Sequence, residues 1–299
     1  MRRIKKYNTH LLMLVPGLLL MFVFRYGPLY GVLLAFKEYR LIDGVLGSPW
    51  VGFEQFRILF NTPKALNAIK NTIIISLLKM LWGFPAPILF ALMLNEVSHR
   101  FFKRLVQSLS YLPHFISWII LSGIFIQFLS PTTGPINLLI HRLGGEPIFF
   151  MASVRWFRTV LVATAIYKGF GWGSILYLAA LSNIDPTLYE SAVIDGANRF
   201  QRIVYITLPM LVPLIVIVLI LQMRGIMEAG FDQVFNMYNP RVYPVADIIG
   251  TYVYRTGIVQ MNYSFATAVD VFQSTVGLMF ILIVNFATRR IGNTEYGLW

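Results

Sequence analysis

Apolar runs about as long as a bilayer is thick govern what this chain can fold into. Six recur, over residues 11–36, 71–94, 105–129, 157–181, 209–227 and 265–288. A helix needs roughly 20 apolar residues to cross the hydrocarbon core. Only helices or closed barrels leave no backbone group unsatisfied there. The runs are too long and continuous for the roughly 10-residue alternating strands of a barrel. The expected fold is therefore an all-α membrane protein with six transmembrane helices in a single domain over residues 1–299. Composition agrees: 13% of residues are charged, about half the roughly 25% of a soluble domain.

The net charge of +12 does not point to nucleic acid, because Lys and Arg gather at the ends of apolar runs rather than on one basic face. Their distribution sets orientation instead. They are densest in residues 1–10, 95–104, 182–208 and 289–299, which carry Arg2, Arg3, Lys5, Lys6, Arg100, Lys103, Arg104, Arg199, Arg202, Arg289 and Arg290. The intervening loops 37–69, 130–156 and 229–264 are longer and carry fewer. Both termini are thus expected in the cytoplasm. The start, "MRRIKKYNTHLLMLVPGLLLMFVF", has the basic and apolar regions of a signal peptide without a small-x-small cleavage site, and reads as a retained first span.

No cysteine is present, which excludes disulfides and thiolate metal sites. His10, His99, His114 and His141 are scattered without ligand spacing, so no metal site is expected.

Between the fourth and fifth runs lies "YESAVIDGANRFQRIVYITLP", which is charged and patterned for helices. Asp185-Pro186 makes a strong helix start, with Asp as N-cap and Pro at N1. Asp195-Gly196 is a turn signal. Two short helices are expected, Pro186 to about Ile194 and Asn198 to about Ile206, with Pro209 in the first turn of the next span. Leu188, Ala192 and Ile194 offer apolar contacts on the first. An amphipathic loop resting on the bilayer would carry cations on its polar face. Here the first helix carries Glu190 and Asp195, which are unfavourable beside anionic lipid. Docking into a basic groove of a partner fits better.

Glu190-Ser191-Ala192, then Asp195-Gly196-Ala197, then Ile206-Thr207-Leu208-Pro209 resemble the EAA motif of permease subunits of type I ATP-binding-cassette importers, with Ser191 where that family usually has Ala. "RYGPLYGVLLAFKEY", "SYLPHFISW", "YNPRVYPVADIIGTYVYRTG" and the terminal "YGLW" extend the likeness over nearly the whole chain. They resemble the polysaccharide-type branch of the carbohydrate permeases, relatives of the maltose permeases, in which importers of acidic, alginate-like oligosaccharides occur. The resemblance implies a non-catalytic permease of a bacterial cytoplasmic (inner) membrane. It also implies that the EAA segment is a cytoplasmic coupling helix seated on an ATPase, with Leu188, Glu190, Ser191, Ala192, Asp195, Gly196, Ala197, Leu208 and Pro209 as coupling residues. The implied partners are a second homologous permease, two ATPase subunits and an external solute-binding protein. No cofactor is expected on this chain, and ATP and Mg would serve the ATPases. The chain has no G-x-x-x-x-G-K-[ST] loop. The glycines of "KGFGWGS", residues 168–174, read as close helix packing.

Ionisable groups inside spans are functional candidates by default. The candidates for a solute pathway are Arg25, Lys79, Gln222, Arg224, Asp270 and Gln273. Arg25 stands where Pro28 interrupts the first span. Arg224 and Glu228 are spaced to share a helical face. A buried ion pair accounts for Lys79 or Asp270 as well as solute contact does. Lys168 and Glu228, near run ends, are expected to snorkel or face water. Trp172 and Tyr177 are candidates for stacking on sugar rings. Permeation of another solute class, such as a polyol or glycerol phosphate, stays open. A six-span ion channel would need an Arg-repeat voltage helix or a T-V-G-Y-G filter. A membrane enzyme would need a G-x-S-x-G elbow or H-E-x-x-H. Neither set of motifs is present.

Overall fold

The computed structural model describes residues 8–291. Its regular structure is helical apart from one β-bridge, Lys37 to Trp50. The chief helices are α1 (Asn8–Met21), α2 (Pro63–Gly83), α3 (Pro85–Asn95), α4 (Arg100–Phe115), α5 (Trp118–Phe128), α6 (Phe157–Ser182), α7 (Pro186–Ile194), α8 (Arg199–Met223), α9 (Phe231–Met237) and α10 (Tyr263–Ile291). Among the described residues, five helices are long and apolar enough to cross a membrane, and a bent pair makes a sixth if counted as one span.

Three spans differ from their sequence expectation. The first continues from α1 through a π turn, Phe22–Tyr26, into a 3₁₀ stretch, Gly27–Phe36, with Pro28 in its first turn. The second is longer than expected. Helices α2 and α3 follow one another across Phe84 as a candidate span of 33 residues, about 50 Å at 1.5 Å per residue against a hydrocarbon core of about 30 Å. The third is no single helix. Helix α4 stops at Ile116, which is extended, and Ser117 starts α5 by accepting from the Ile120 N–H at 3.4 Å. The two axes turn through 105°. Pro113 in the last turn of α4 and a serine N-cap four residues later are the local causes.

The chain divides into two compact units. The smaller comprises the described part of residues 1–63 with Val253–Gln273, and the larger runs over Lys64–Tyr252 and on from Ser274. In the smaller unit the Tyr39 N–H donates to Ser264 Oγ at 2.8 Å, and Lys37 donates to the Val45 and Leu46 carbonyls.

In the larger unit α6 is the spine. One end of it, Phe157, Val160 and Leu161, joins Ile75, Leu129, Val234, Met237 and Ile248 in a hydrophobic core. The other end, Tyr177 and Leu181, joins Ile88, Ala91, Leu92 and Leu211 in a second core. Between them lies the glycine stretch, which does pack closely. A Cβ on Gly171 would fall 2.1 Å from the Ser110 carbonyl oxygen of α4, and one on Gly173 would fall 3.0 Å from Pro87 Cγ. Asn71 and Arg158 fix the segment before α10. Asn71 Nδ2 donates to the Pro244 and Asp247 carbonyls at 3.1 Å, and Arg158 Nη2 donates to Asn71 Oδ1 at 2.8 Å.

Candidate functional site

The interval after α6 folds as its caps dictate. Asp185 Oδ1 accepts from the Thr187 N–H at 3.0 Å, which satisfies one free donor at the start of α7 and holds the Asp185 carboxyl below the usual carboxylate range. At the other end Gly196 takes φ +79°, in the left-handed region. The Ala197 N–H then reaches the Ala192 carbonyl at 2.8 Å, and the Gly196 N–H reaches the Val193 carbonyl at 3.1 Å. This pair of bonds is a Schellman motif. A capping box follows at once. Asn198 Oδ1 accepts from the Gln201 N–H at 2.9 Å, and Gln201 Oε1 accepts from the Asn198 N–H at 2.8 Å.

The second short helix does not stop before the span. It is the first part of α8, which runs unbroken from Arg199 to Met223. Its passage through Pro209 is eased by a π turn, Ile203–Thr207, in which the Leu208 N–H bonds to the Ile203 carbonyl. Widening that turn relieves the clash an in-line proline makes with the carbonyl four residues back.

Helix α7 has no buried residue. Leu188, Val193 and Ile194 are exposed, Ile194 by 86%, and so is Phe200 just beyond, by 73%. Glu190 and Asp195 are exposed as well, and neither has an ionic partner among the described residues. The helix is fastened from one side. Tyr189 packs against the second core, and its hydroxyl lies 2.9 Å from Thr207 Oγ1 on the π turn of α8. Ser191, Leu208 and Pro209 are exposed, while Ala192 and Ala197 are partly covered.

Of the pathway candidates, the structure gathers Lys79 and Gln222 on one cavity of about 250 Å³, together with Ser76, Gly225, Ile226 and Glu228. Glu228 is exposed. The Ser76 hydroxyl is buried without a hydrogen-bond partner. Lys79 forms no carboxylate pair among the described residues. Its ammonium donates to the Ala229 carbonyl at 2.7 Å and to Gln233 Oε1 at 2.5 Å. Gln233, 1% exposed, passes both amide hydrogens to α6, to the Leu161 carbonyl and Thr164 Oγ1, each at 2.7 Å. Gln233 escaped the sequence reading because an amide between Asp232 and Val234, in a segment read as a loop, gives no signal of burial.

Arg224 begins a 3₁₀ stretch, Arg224–Met227. Arg25 is exposed in the π turn of the first span. Asp270 and Gln273 lie on α10 in the smaller unit, with Asp270 exposed and Gln273 half-buried.

Lys168 does not snorkel. It lies midway along the 26-residue α6 and donates to the carbonyls of Pro113 (3.2 Å), His114 (2.9 Å) and Ile116. Tyr177 is 2% exposed and has no ring face to offer a sugar. Trp172 remains exposed on one side, while His114 stacks on it at 4.5 Å and 4°.

A family model described as "Binding-protein-dependent transport system inner membrane component" matches residues 83–292. Protein LplB of Bacillus subtilis (strain 168) is 43% identical over 97% of this chain and 91% of its own length. The polygalacturonan/rhamnogalacturonan transport system permease protein YteP of the same organism is 41% identical over 96% of this chain and 89% of its own. A crystal structure of a bacterial ABC transporter involved in the import of the acidic polysaccharide alginate includes a chain that superposes with a TM-score of 0.91. That chain is 41% identical, over 98% of this chain and 99% of that one. A second, of the bacterial alginate ABC transporter with an alginate pentasaccharide-bound periplasmic protein, also gives 0.91, at 40% identity and 99% of each chain.

Proposed function

We propose, from the premise that this chain belongs to the family of binding-protein-dependent transport system inner membrane components, that it is the permease subunit of an ATP-driven importer of an oligosaccharide. The subunit is non-catalytic, and ATP hydrolysis belongs to a separate partner. Both termini and the 182–208 interval face the cytoplasm.

The observation that carries the proposal is α7 itself. It is a short helix closed by its own caps at both ends, with an uncovered apolar and acidic surface, fastened to the span that follows it. A loop that merely connects two spans needs none of these features. A lever needs all of them: a rigid body, a face for the partner and a tether to the part that moves. Glu190 meets a basic or polar groove of the ATPase. Leu188, Ser191, Ala192, Ala197, Leu208 and Pro209 line the close approach, and Asp195-Gly196 sets the bend.

The solute path passes the cavity lined by Lys79, Gln222 and Glu228 in the larger unit, with Arg224 as a further residue of that unit, while Arg25, Asp270 and Gln273 are candidates within the smaller unit. An acidic saccharide is the favoured cargo, since YteP is named for polygalacturonan and rhamnogalacturonan, polymers that contain galacturonate, and the alginate importer for an acidic polysaccharide, at 41% identity each. A second homologous permease, two ATPases and an external binding protein complete the importer. The test is Glu190→Lys in the reconstituted assembly with loaded binding protein. Saccharide-stimulated ATP hydrolysis and uptake should both be lost while the chain still inserts. Stimulated hydrolysis at the parental level would refute the docking role.

A further inference from the structure

Two helical runs of the larger unit break, after α4 and after α8, and each break is met by a lysine. The first lies between α4 and α5. There the chain turns through 105°, and the last carbonyls of α4 lose their intrahelical partners. Those carbonyls also form the negative end of the α4 dipole. Lys168 of α6 places its ammonium on the Pro113 and His114 carbonyls of the last turn and on that of Ile116, the residue that follows α4, with the Trp118 ring 5.5 Å away; the Pro113 carbonyl also accepts the Ile116 N–H at 3.3 Å. An ammonium has three hydrogens to donate, and all three find acceptors here.

The second break lies between α8 and α9, where Ala229 and Gly230 take φ +50° and +79°. Lys79 of α2 donates to the Ala229 carbonyl there and to Gln233 of α9, and Gln233 is fastened to α6 through Leu161 and Thr164. Glycine at position 230 leaves room for the ammonium, because a Cβ would fall 2.9 Å from Lys79 Nζ. Neither lysine has a carboxylate within ion-pair reach among the described residues. Their charge is met by carbonyl and amide dipoles, an arrangement fitted to backbone that cannot satisfy itself away from water.

The two breaks serve one body. Helices α5 and α9, the segments beyond each break, pack on each other and share the core of Leu129, Val234 and Met237. Lys168 fastens the first break to α6 directly, and Lys79 fastens the second to α2, with Gln233 carrying that link on to Leu161 and Thr164 of α6. We infer that Lys79 and Lys168 are positioning residues of transport. They hold the α5–α9 body in register with α6, so that movement entering at the α7 end of the spine is passed to the other end rather than lost at the breaks. This rests on the permease reading above, and it gives Lys79 a backbone-holding role besides its place on the cavity.

The chain has no cysteine, so spin labels can be placed at Ile124→Cys on α5 and Leu176→Cys on α6, both exposed positions. Their distance distribution is read by pulsed electron resonance, on this subunit alone in lipid nanodiscs. Saccharide moved per ATP hydrolysed is read on the whole importer. The parental pair should give one narrow distance. Lys168→Met should broaden it and lower the transport-to-hydrolysis ratio several-fold, leaving the apparent saccharide affinity unchanged. Gln233→Leu, which removes no charge, should do the same, and it decides the matter if Lys168→Met fails to assemble. An unchanged distribution and ratio, or a change confined to saccharide affinity, would overturn the inference. Because the distance measurement needs no partner, it stands even if the assembly proves not to move saccharide.

Discussion

Tyr189 Oη and Thr207 Oγ1 stand 2.9 Å apart, joining α7 to the π turn of α8 across the whole EAA-like interval. Thr207 is buried and also reaches back to the Arg202 carbonyl at 3.3 Å. Removing the phenol in Tyr189→Phe keeps the ring in the second core and deletes one hydrogen bond. A bond of this kind contributes about 0.5–1.5 kcal/mol. Uptake per ATP hydrolysed should therefore fall by about two- to tenfold, with expression and assembly unchanged. Parallel assays of uptake and hydrolysis in proteoliposomes read the ratio directly.

Gly196 separates conformational strain from crowding. A Cβ there would meet nothing within 4 Å, yet its φ is +79°. Alanine should cost about 1–2 kcal/mol through the left-handed backbone alone, while asparagine, which tolerates that region, should be nearly silent. Proline, fixed near −65°, should abolish saccharide-stimulated ATP hydrolysis. The order of activity Gly, Asn, Ala, Pro is the expected result, and equal activity of Ala and Asn would speak against it.

Asp185 carries a pH prediction. Its carboxylate accepts the Thr187 N–H, which lowers its pKa in the folded chain. A lowered value means that the cap's contribution is present above the ordinary carboxylate value of about 3.9 and is lost as pH falls through the lower folded value. Protection of the amides at the start of α7, relative to their intrinsic exchange rate, should fall below about pH 4 in the parent. In Asp185→Asn, which has no charge to lose, that step should be absent.

Gly171 predicts a packing defect. Its Cβ would fall 2.1 Å from a backbone oxygen, that of Ser110. Gly171→Ala must therefore push α4 from α6, at about 1–3 kcal/mol for overpacking. The melting temperature in detergent should drop, and Ser110→Gly should not restore it, since the obstructing atom is main chain.

The number of apolar segments and the caps of α7 were legible because both are local. Length alone separates a span from a loop, and Asp-Pro and Asp-Gly carry their own conformations. The break after Pro113 had a local signal too, in Pro113 and Ser117, but an unbroken apolar run masks it. What sequence could not place were the partners of Lys79, Lys168 and Gln233. Carbonyls freed at a break 50 to 150 residues away leave no mark of their own, so Lys168 read as a surface cation and Gln233 as part of a loop. Tyr177 was misread for a similar reason, because an aromatic in a span has the same spacing whether it faces a core or a path.

Cross-linking tests the central claim, that α7 is the surface on which the ATPase works, most directly. A single cysteine is placed at Ile194, the most exposed apolar residue of α7, and the assembled importer is treated with a short bifunctional thiol reagent with and without ATP. The account predicts a covalent adduct between this chain and the ATP-hydrolysing subunit, with a yield that changes with nucleotide. A control cysteine at Leu143, exposed in the loop between α5 and α6, should give none. No adduct at position 194, or an equal one at position 143, would contradict it.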